Sequence, residues 1–152
     1  MARIVLPVQH VPQRRIGECL AACSAMVLNF LGMPIAYDRL LRVLGIQPGV
    51  GVASSKIRNL ERVGVRVIYE QGTIEELCSY LSGGVPCIAF VQTRELPYRN
   101  DDASHAVVLV GFDDQYIYVD DPEYDNSPLR VLMGDFDLAW LYHDEKYAVI
   151  TR

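Results

Sequence analysis

The 152-residue sequence has no apolar run near the ~18 residues that a membrane-spanning helix requires. It has no excess of basic charge either. Fourteen Lys and Arg stand against nineteen Asp and Glu, for a formal net charge of −5. A nucleic-acid binder carries a basic face, so this balance argues against DNA, RNA and anionic membrane surfaces as partners. Four cysteines at irregular spacing are too few to staple a chain this long. The opening MARIVLPVQHVPQRR puts its apolar run before its basic pair, the reverse of an export signal. These absences predict reduced thiols in a cytoplasmic protein. Repeats, low-complexity tracts and linkers are also missing. With 51% hydrophobic and 22% charged residues the chain reads as an ordinary folded protein. A chain of this length buries about 70% of its unfolded surface, enough for a core without disulfides or metal. The expectation is a single domain over residues 1–152.

What is present begins with a helix. From Gly17 to Leu31, Cys19, Cys23, Met26 and Phe30 fall on one helical face, with Leu20, Val27 and Leu31 beside it. Gly32 stands where a C-cap belongs, and Pro34 prevents continuation. Shorter helices are expected at 37–44, from Ser54 to Val63, and from a Thr73–Glu76 capping box to Gly83. Strands are expected at 65–69, 86–91, 105–112, 116–121, 128–133 and 146–150, with a helical turn at 136–141 and a polar loop at 94–103. Helices lead and strands follow. The fold class is therefore α+β, with N-terminal helices packed on an antiparallel sheet.

Cys19 falls in the first turn of the leading helix. Unpaired backbone N–H groups and the helix dipole favour an anion there, and the thiolate is the nucleophile of cysteine chemistry. Read alone, Cys19 is equally a small apolar residue at a helix start. A thiol nucleophile needs a base that later acts as an acid, which histidine supplies near neutral pH. Of His10, His105 and His143, His105 is placed best, at the mouth of an apolar strand after the polar loop. The base needs an orienting carboxylate or amide. Asp121 shares its strand face with Val119 and Ile117 and so points inward, where a carboxylate must be paired. Asp120 shares the other face with Tyr118 and Tyr116. A two-residue turn between the two strands would leave His105 and Asp121 on opposite faces. A three-residue loop or a bulge brings them to the same face, and that connection is expected. The Cys19 N–H and the side-chain amide of Gln13 are candidate oxyanion donors. Cys19 and Cys23 could open a metal site with His105, His143 or an aspartate. No tight C-x-x-C pair is present, so no metal and no cofactor are expected. Cys23, Cys78 and Cys87 read as core, with Cys23 also able to trap an oxidised Cys19 as a disulfide. Tyr98 and Arg99, in the loop before His105, are expected to flank a substrate groove.

The ordered set Gln13, Cys19, His105, Asp121 resembles the papain-like cysteine peptidases. QRRIGECLAA is similar to that family's oxyanion glutamine followed by its nucleophile at a helix start. HAVVLVGFDDQYIYVDDP is similar to its histidine strand, tight turn and returning strand. The small size, the Asp-Pro pair and GGVPCIAFV more closely resemble the free-standing relatives of the bacteriocin-processing, double-glycine leader peptidases. The likeness runs from Gln13 to Pro122. It implies a papain-like fold and a bacterial enzyme. It also implies a nucleophilic Cys19, a general base and acid in His105, an orienter in Asp121 and an oxyanion donor in Gln13. Leu20 departs from the pattern, standing where the leader-peptidase branch has Gly and papain has Trp. No transporter segment follows within the sequence.

The resulting expectation is a cysteine peptidase that cuts a peptide or isopeptide bond through a thioester. Two alternatives stay open. One is an acyltransferase or amide synthase on the same site, and the other a catalytically silent peptide-binding module. The expected partner is a peptide or protein substrate. A small peptidase without a visible pro-segment is also expected to rely on narrow specificity or on an activating protein partner.

Overall fold

The structure, a computed structural model, describes residues 3–152. Its organising helix is α1 (Cys19–Phe30), whose residues 20–28 are buried all the way round. The sequence pattern alone suggests one apolar face. The polar Ser24 on the other side is satisfied internally, its hydroxyl donating to Leu20 O at 2.7 Å. The helix ends where expected: Gly32, just past its C-cap, has φ +74°, a left-handed value that glycine adopts without strain.

Two elements beside α1 cover its far side. Helix α2 (Tyr37–Leu44) turns Leu40 and Leu44 inward and ends on Gly45. The segment Ser54–Val63, expected as a helix, is a 3₁₀ helix that buries Ile57 and Leu60. On the near side α1 lies on the sheet, against the even-numbered residues of its central strands, such as Phe90, Ala106 and Val108.

Among the described residues, seven antiparallel strands form that sheet: β1 (Ile4–Val5), β2 (Arg66–Gln71), β3 (Cys87–Gln92), β4 (Ser104–Phe112), β5 (Tyr116–Asp120), β6 (Leu129–Leu132) and β7 (Lys146–Thr151). The order is β2-β7-β3-β4-β5-β6, with β1 pairing the far end of β4. The opposite face carries the odd-numbered residues Val91, Val107, Leu109 and Val119. It packs against α3 (Ile74–Ser82) and α4 (Met133–Leu141). Thr73 caps α3 as its capping box predicts, its hydroxyl accepting from Glu76 N at 3.2 Å. The region 136–141, expected as a helical turn, is a full helix, because Phe136, Ala139 and Trp140 lie at 3.6-residue spacing over the odd face. β1 has no counterpart in the sequence pattern. Two residues carry too little period, and its place is set by β4 outrunning β3. Gly111 allows that pairing, since a Cβ there would strike Ile4 O.

The pairing of β4 with β5 is irregular at one position. Phe112 pairs with Ile117 and Gly111 with Tyr118, then Leu109 with Val119 and Val108 with Asp120. Val110 is therefore an extra residue, the β-bulge that the sequence requires. Beyond it, odd residues of β4 share a face with odd residues of β5, and His105 comes to the same face as Asp121.

Candidate active site

The ends of β3 and β4, the start of α1 and the loop 93–103 surround a cavity of about 580 Å³ lined by Gln13, Cys19 and His105, with Asp121 behind it. The structure thus brings all four residues singled out from the sequence to one place.

Cys19 is the first residue of α1. The preceding Glu18 occupies the cap position but makes no capping hydrogen bond. Its buried carboxylate accepts from the Tyr37 hydroxyl at 3.0 Å instead. The first-turn N–H groups, that of Cys19 included, are thus left without a side-chain partner. Gly17 sets the entry to the helix. It has φ +86°, and a Cβ there would sit 2.9 Å from the backbone of Val50 and Gly51. The chain before Cys19 is thereby pressed against the loop that forms one wall. Leu20, buried, follows Cys19 in the helix and lines the same cavity. Cys23, one turn on, is fully buried, and burial together with the neighbouring Cys19 pushes its thiol well above the ordinary range.

His105 is nearly buried. Its Nε2 donates to Asp121 Oδ1 at 2.8 Å, and Cys19 lies close enough to act on the ring's charge. With Nε2 engaged, Nδ1 is the remaining ring nitrogen, and Glu123 Oε1 lies 3.7 Å from it. Burial alone would lower the ring's pKa, but the bonds and charges of Asp121 and Cys19 outweigh it and raise the value to about 9.

Asp121 has no exposed side-chain surface and accepts four hydrogen bonds. Oδ1 takes His105 and the Glu123 N–H at 2.9 Å. Oδ2 takes the Tyr98 hydroxyl at 2.6 Å and Arg99 at 3.1 Å. Burial would raise this carboxyl, yet the donors hold it down at about 2. The Asp121 carbonyl in turn accepts from His10 Nε2 at 2.7 Å.

Tyr98 and Arg99 correct the sequence reading. They stand behind Asp121 and do not flank the groove. Arg99, its side chain 5% exposed, also reaches Asp101 at 2.7 Å and Glu123 at 2.8 Å. A carboxylate as buried as Asp121 needs a cation, and Arg99 is the one near enough in the loop. The acid-rich run Asp120, Asp121, Glu123 points to that need but not to which cation meets it. Strand alternation assigns Asp120 to the outer face. It is buried as well, and burial brings its carboxyl up to about 6 despite the nearby His10.

Gln13 is held beside this segment by its N–H, which donates to Pro122 O at 3.0 Å. Its amide Nε2 donates to Arg15 O at 2.9 Å, and its Oε1 is buried without a partner. One amide N–H therefore remains for another acceptor.

Among the described residues one group could by distance hold a metal ion: His105, Asp121 and Glu123, with ligand atoms within 4.8 Å of one another. The Arg99 guanidinium already bonds both carboxylates, so a cation fills that role. All four cysteines are free, and among the described residues no helix is long and apolar enough to cross a membrane.

Three comparisons place this arrangement among known proteins. The family model described as Peptidase_C39 like family matches residues 5–145. A search of the curated proteins gives no match. Among solved structures, the chain is similar to a Bacillus anthracis protein described as a C39-like peptidase, with a TM-score of 0.80 at 19% identity, covering 100% of this chain and 98% of that one. It is similar to the peptidase domain of Streptococcus ComA, a bifunctional ABC transporter of a quorum-sensing pathway, with a TM-score of 0.75 at 17% identity, covering 95% and 98%. It is also similar to a double-glycine-motif protease from an AMS/PCAT transporter, solved with its leader peptide, with a TM-score of 0.71 at 20% identity, covering 99% of each. At these identities the likeness is one of fold.

Proposed function

Since the chain belongs to the Peptidase_C39 like family and is a cysteine peptidase, a hydrolase, we propose that Cys19, His105 and Asp121 form its catalytic triad, with Gln13 as oxyanion donor. The observation that carries this reading is the His105 ring, bonded by Asp121 at Nε2 and lining, together with Cys19, the same cavity.

The chemistry follows from the geometry. Asp121 fixes the ring and stabilises its protonated form, so His105 takes the Cys19 proton at Nδ1 as Sγ attacks the substrate carbonyl carbon. The oxygen that becomes negative is met by the Cys19 N–H and the remaining Gln13 N–H. As the C–N bond breaks, His105 gives its proton to the leaving amine, and a thioester remains on Cys19. Water then attacks the thioester carbonyl while His105 takes its proton. The acid leaves, and Sγ and the imidazole return to their starting state.

We take the substrate to be a peptide, in keeping with the leader peptide bound in the structure of the AMS/PCAT protease. The apolar stretch of the cavity at Leu20, Val52 and Phe90 fits a chain segment with small or apolar side chains. The rest of the reading is a single catalytic unit over 1–152, working in the cytoplasm, where its four free thiols stay reduced. Activation by a protein partner belongs to the same proposal.

The test uses tryptic peptides of a bacterial proteome as substrate. Wild type is expected to create new peptide ends and Cys19→Ala none. Equal products from both would overturn the assignment. Repeating the digestion in excess glycinamide separates the transferase alternative: amide-capped products favour it, and free acids alone rule it out.

A further inference from the structure

His143 takes no part in the triad chemistry, yet it lines the same cavity as Cys19 and His105. It is mounted rigidly in the turn from α4 to β7. Its N–H donates to Trp140 O at 3.0 Å, and its carbonyl accepts from Lys146 N at 3.1 Å. Trp140 is itself fully buried and donates to Lys146 O at 2.7 Å. The turn then closes through Asp144 and Glu145, both at positive φ.

The protonation pattern of the ring is fixed by a short relay. Gln92 Nε2 donates to Asp102 Oδ1 at 2.8 Å. A carboxylate can only accept, so the Gln92 amide is oriented with Oε1 on its other side. That oxygen lies 3.1 Å from His143 Nε2, and an amide oxygen also only accepts. The proton therefore sits on His143 Nε2. Burial lowers the ring's pKa, against a weaker opposing effect of Asp144, so the ring is neutral near pH 7 and Nδ1 carries a lone pair. The nearby carboxylates of the cavity wall, Asp101 and Glu123, are taken by Arg99.

We propose that His143 determines substrate specificity: its unprotonated Nδ1 accepts a hydrogen bond from an N–H of the bound peptide. This rests on the peptidase reading of the triad. Two sources could supply the N–H, a backbone amide or a side-chain amine.

The experiment uses the best-cleaved peptide of the tryptic-peptide digestion. His143→Phe keeps the ring and removes the acceptor. His143→Asn puts an amide oxygen near the place of Nδ1. For His143→Phe the expected result is a KM about tenfold higher with kcat within about twofold, the worth of one hydrogen bond. His143→Asn should restore most of the loss. Iodoacetamide alkylation of Cys19 should be the same in all three proteins, since that reagent does not fill the cavity. Methylating one backbone nitrogen of the peptide at a time, or replacing its amine-bearing side chains by alanine, identifies the source: the right change raises KM for wild type and not for His143→Phe. Nitrogen-15 NMR of labelled histidine reads the tautomer directly and should show the proton on Nε2. An Nδ1–H tautomer, or an unchanged KM in His143→Phe, overturns the inference while leaving the triad intact. A wild type that cuts no peptide overturns the triad reading and this inference with it, and the tautomer then stands as a structural result alone.

Discussion

The two sides of the candidate site are built in different ways. The Cys19 side is held by packing and backbone shape: an all-round buried helix, a cap residue that does not cap, and a glycine wedged against Val50 and Gly51. The His105 side is held by a polar network in which Asp121 alone accepts four hydrogen bonds and Arg99 bonds three carboxylates. Apolar packing tolerates the loss of one small polar group. A buried charge network does not, because removing one partner leaves the other unpaired in a poorly solvated place. In the proposed triad the nucleophile must be reached by substrate whereas the orienter need only hold still, and the two constructions would match those tasks.

Removing the groups proposed to react should give the largest effects and expose that asymmetry. Cys19→Ala is expected to abolish turnover, and His105→Ala and Asp121→Asn to lower kcat by on the order of 10³–10⁴-fold. Thermal unfolding should separate them. Cys19→Ala should melt within a few degrees of wild type, since the thiol is only partly buried and Ala suits a helix. Asp121→Asn should melt far lower, because Arg99 loses its most buried partner. Equal melting temperatures for the two variants would break the comparison.

The next effect is at Arg99. Arg99→Ala leaves buried Asp121 with the His105 ring as its one charged partner, a loss of about 3–5 kcal/mol in chemical denaturation. Activity should fall as well, because Asp121 then no longer aims Oδ1 at His105. Arg99→Lys restores the charge but not the fork to three carboxylates, so it should recover only part of both. Full recovery by Lys would show that charge alone matters.

These two sides also differ in how far the sequence discloses them. The helix carrying Cys19 is legible, because its apolar spacing, Gly32 and Pro34 are local signals. So is the α+β class. The bulge at Val110 is legible only as a requirement: His105 and Asp121 cannot meet without it, but nothing in HAVVLVGF marks which residue is extra. The partners of Asp121 are not legible. Tyr98 and Arg99 reach it across 23 and 22 positions of sequence, and a polar loop has no period from which to read where its side chains point. Asp120 is misplaced by alternation for a related reason. Alternation assigns a strand face but does not say whether chain beyond the strand, here His10 and Ser127, covers that face. The Gln92–His143 relay likewise joins residues 51 apart.

A smaller effect comes from protonation of the network. In the folded chain the His105 pKa is raised to about 9, above the unfolded value of about 6.5. The stabilisation this represents is complete below pH 6.5 and is lost as pH rises through about 9. Wild type should therefore need less urea to unfold at pH 9 than at pH 6, and His105→Ala should show a flatter dependence. Asp121 works in the opposite direction and far lower, with stability lost only as pH falls from about 3.9 through about 2. A wild type equally stable at pH 6 and pH 9 would mean that the ring is not held protonated by its neighbours.

The smallest effect isolates the packing side. Gly17→Ala forces an L-residue into φ +86° and drives its Cβ to 2.9 Å from backbone atoms that cannot swing away. Gly45→Ala imposes a similar left-handed strain, at φ +73°, with nothing within 4 Å of the new Cβ. The strain common to both is about 1–2 kcal/mol. Any further loss in Gly17→Ala measures the press of the 50–51 loop against the entry to α1. That loop also lines the cavity, so Gly17→Ala should slow peptide cleavage and Gly45→Ala should not. Equal stability losses with equal cleavage rates would show that the loop yields at little cost and that packing does not fix the Cys19 side.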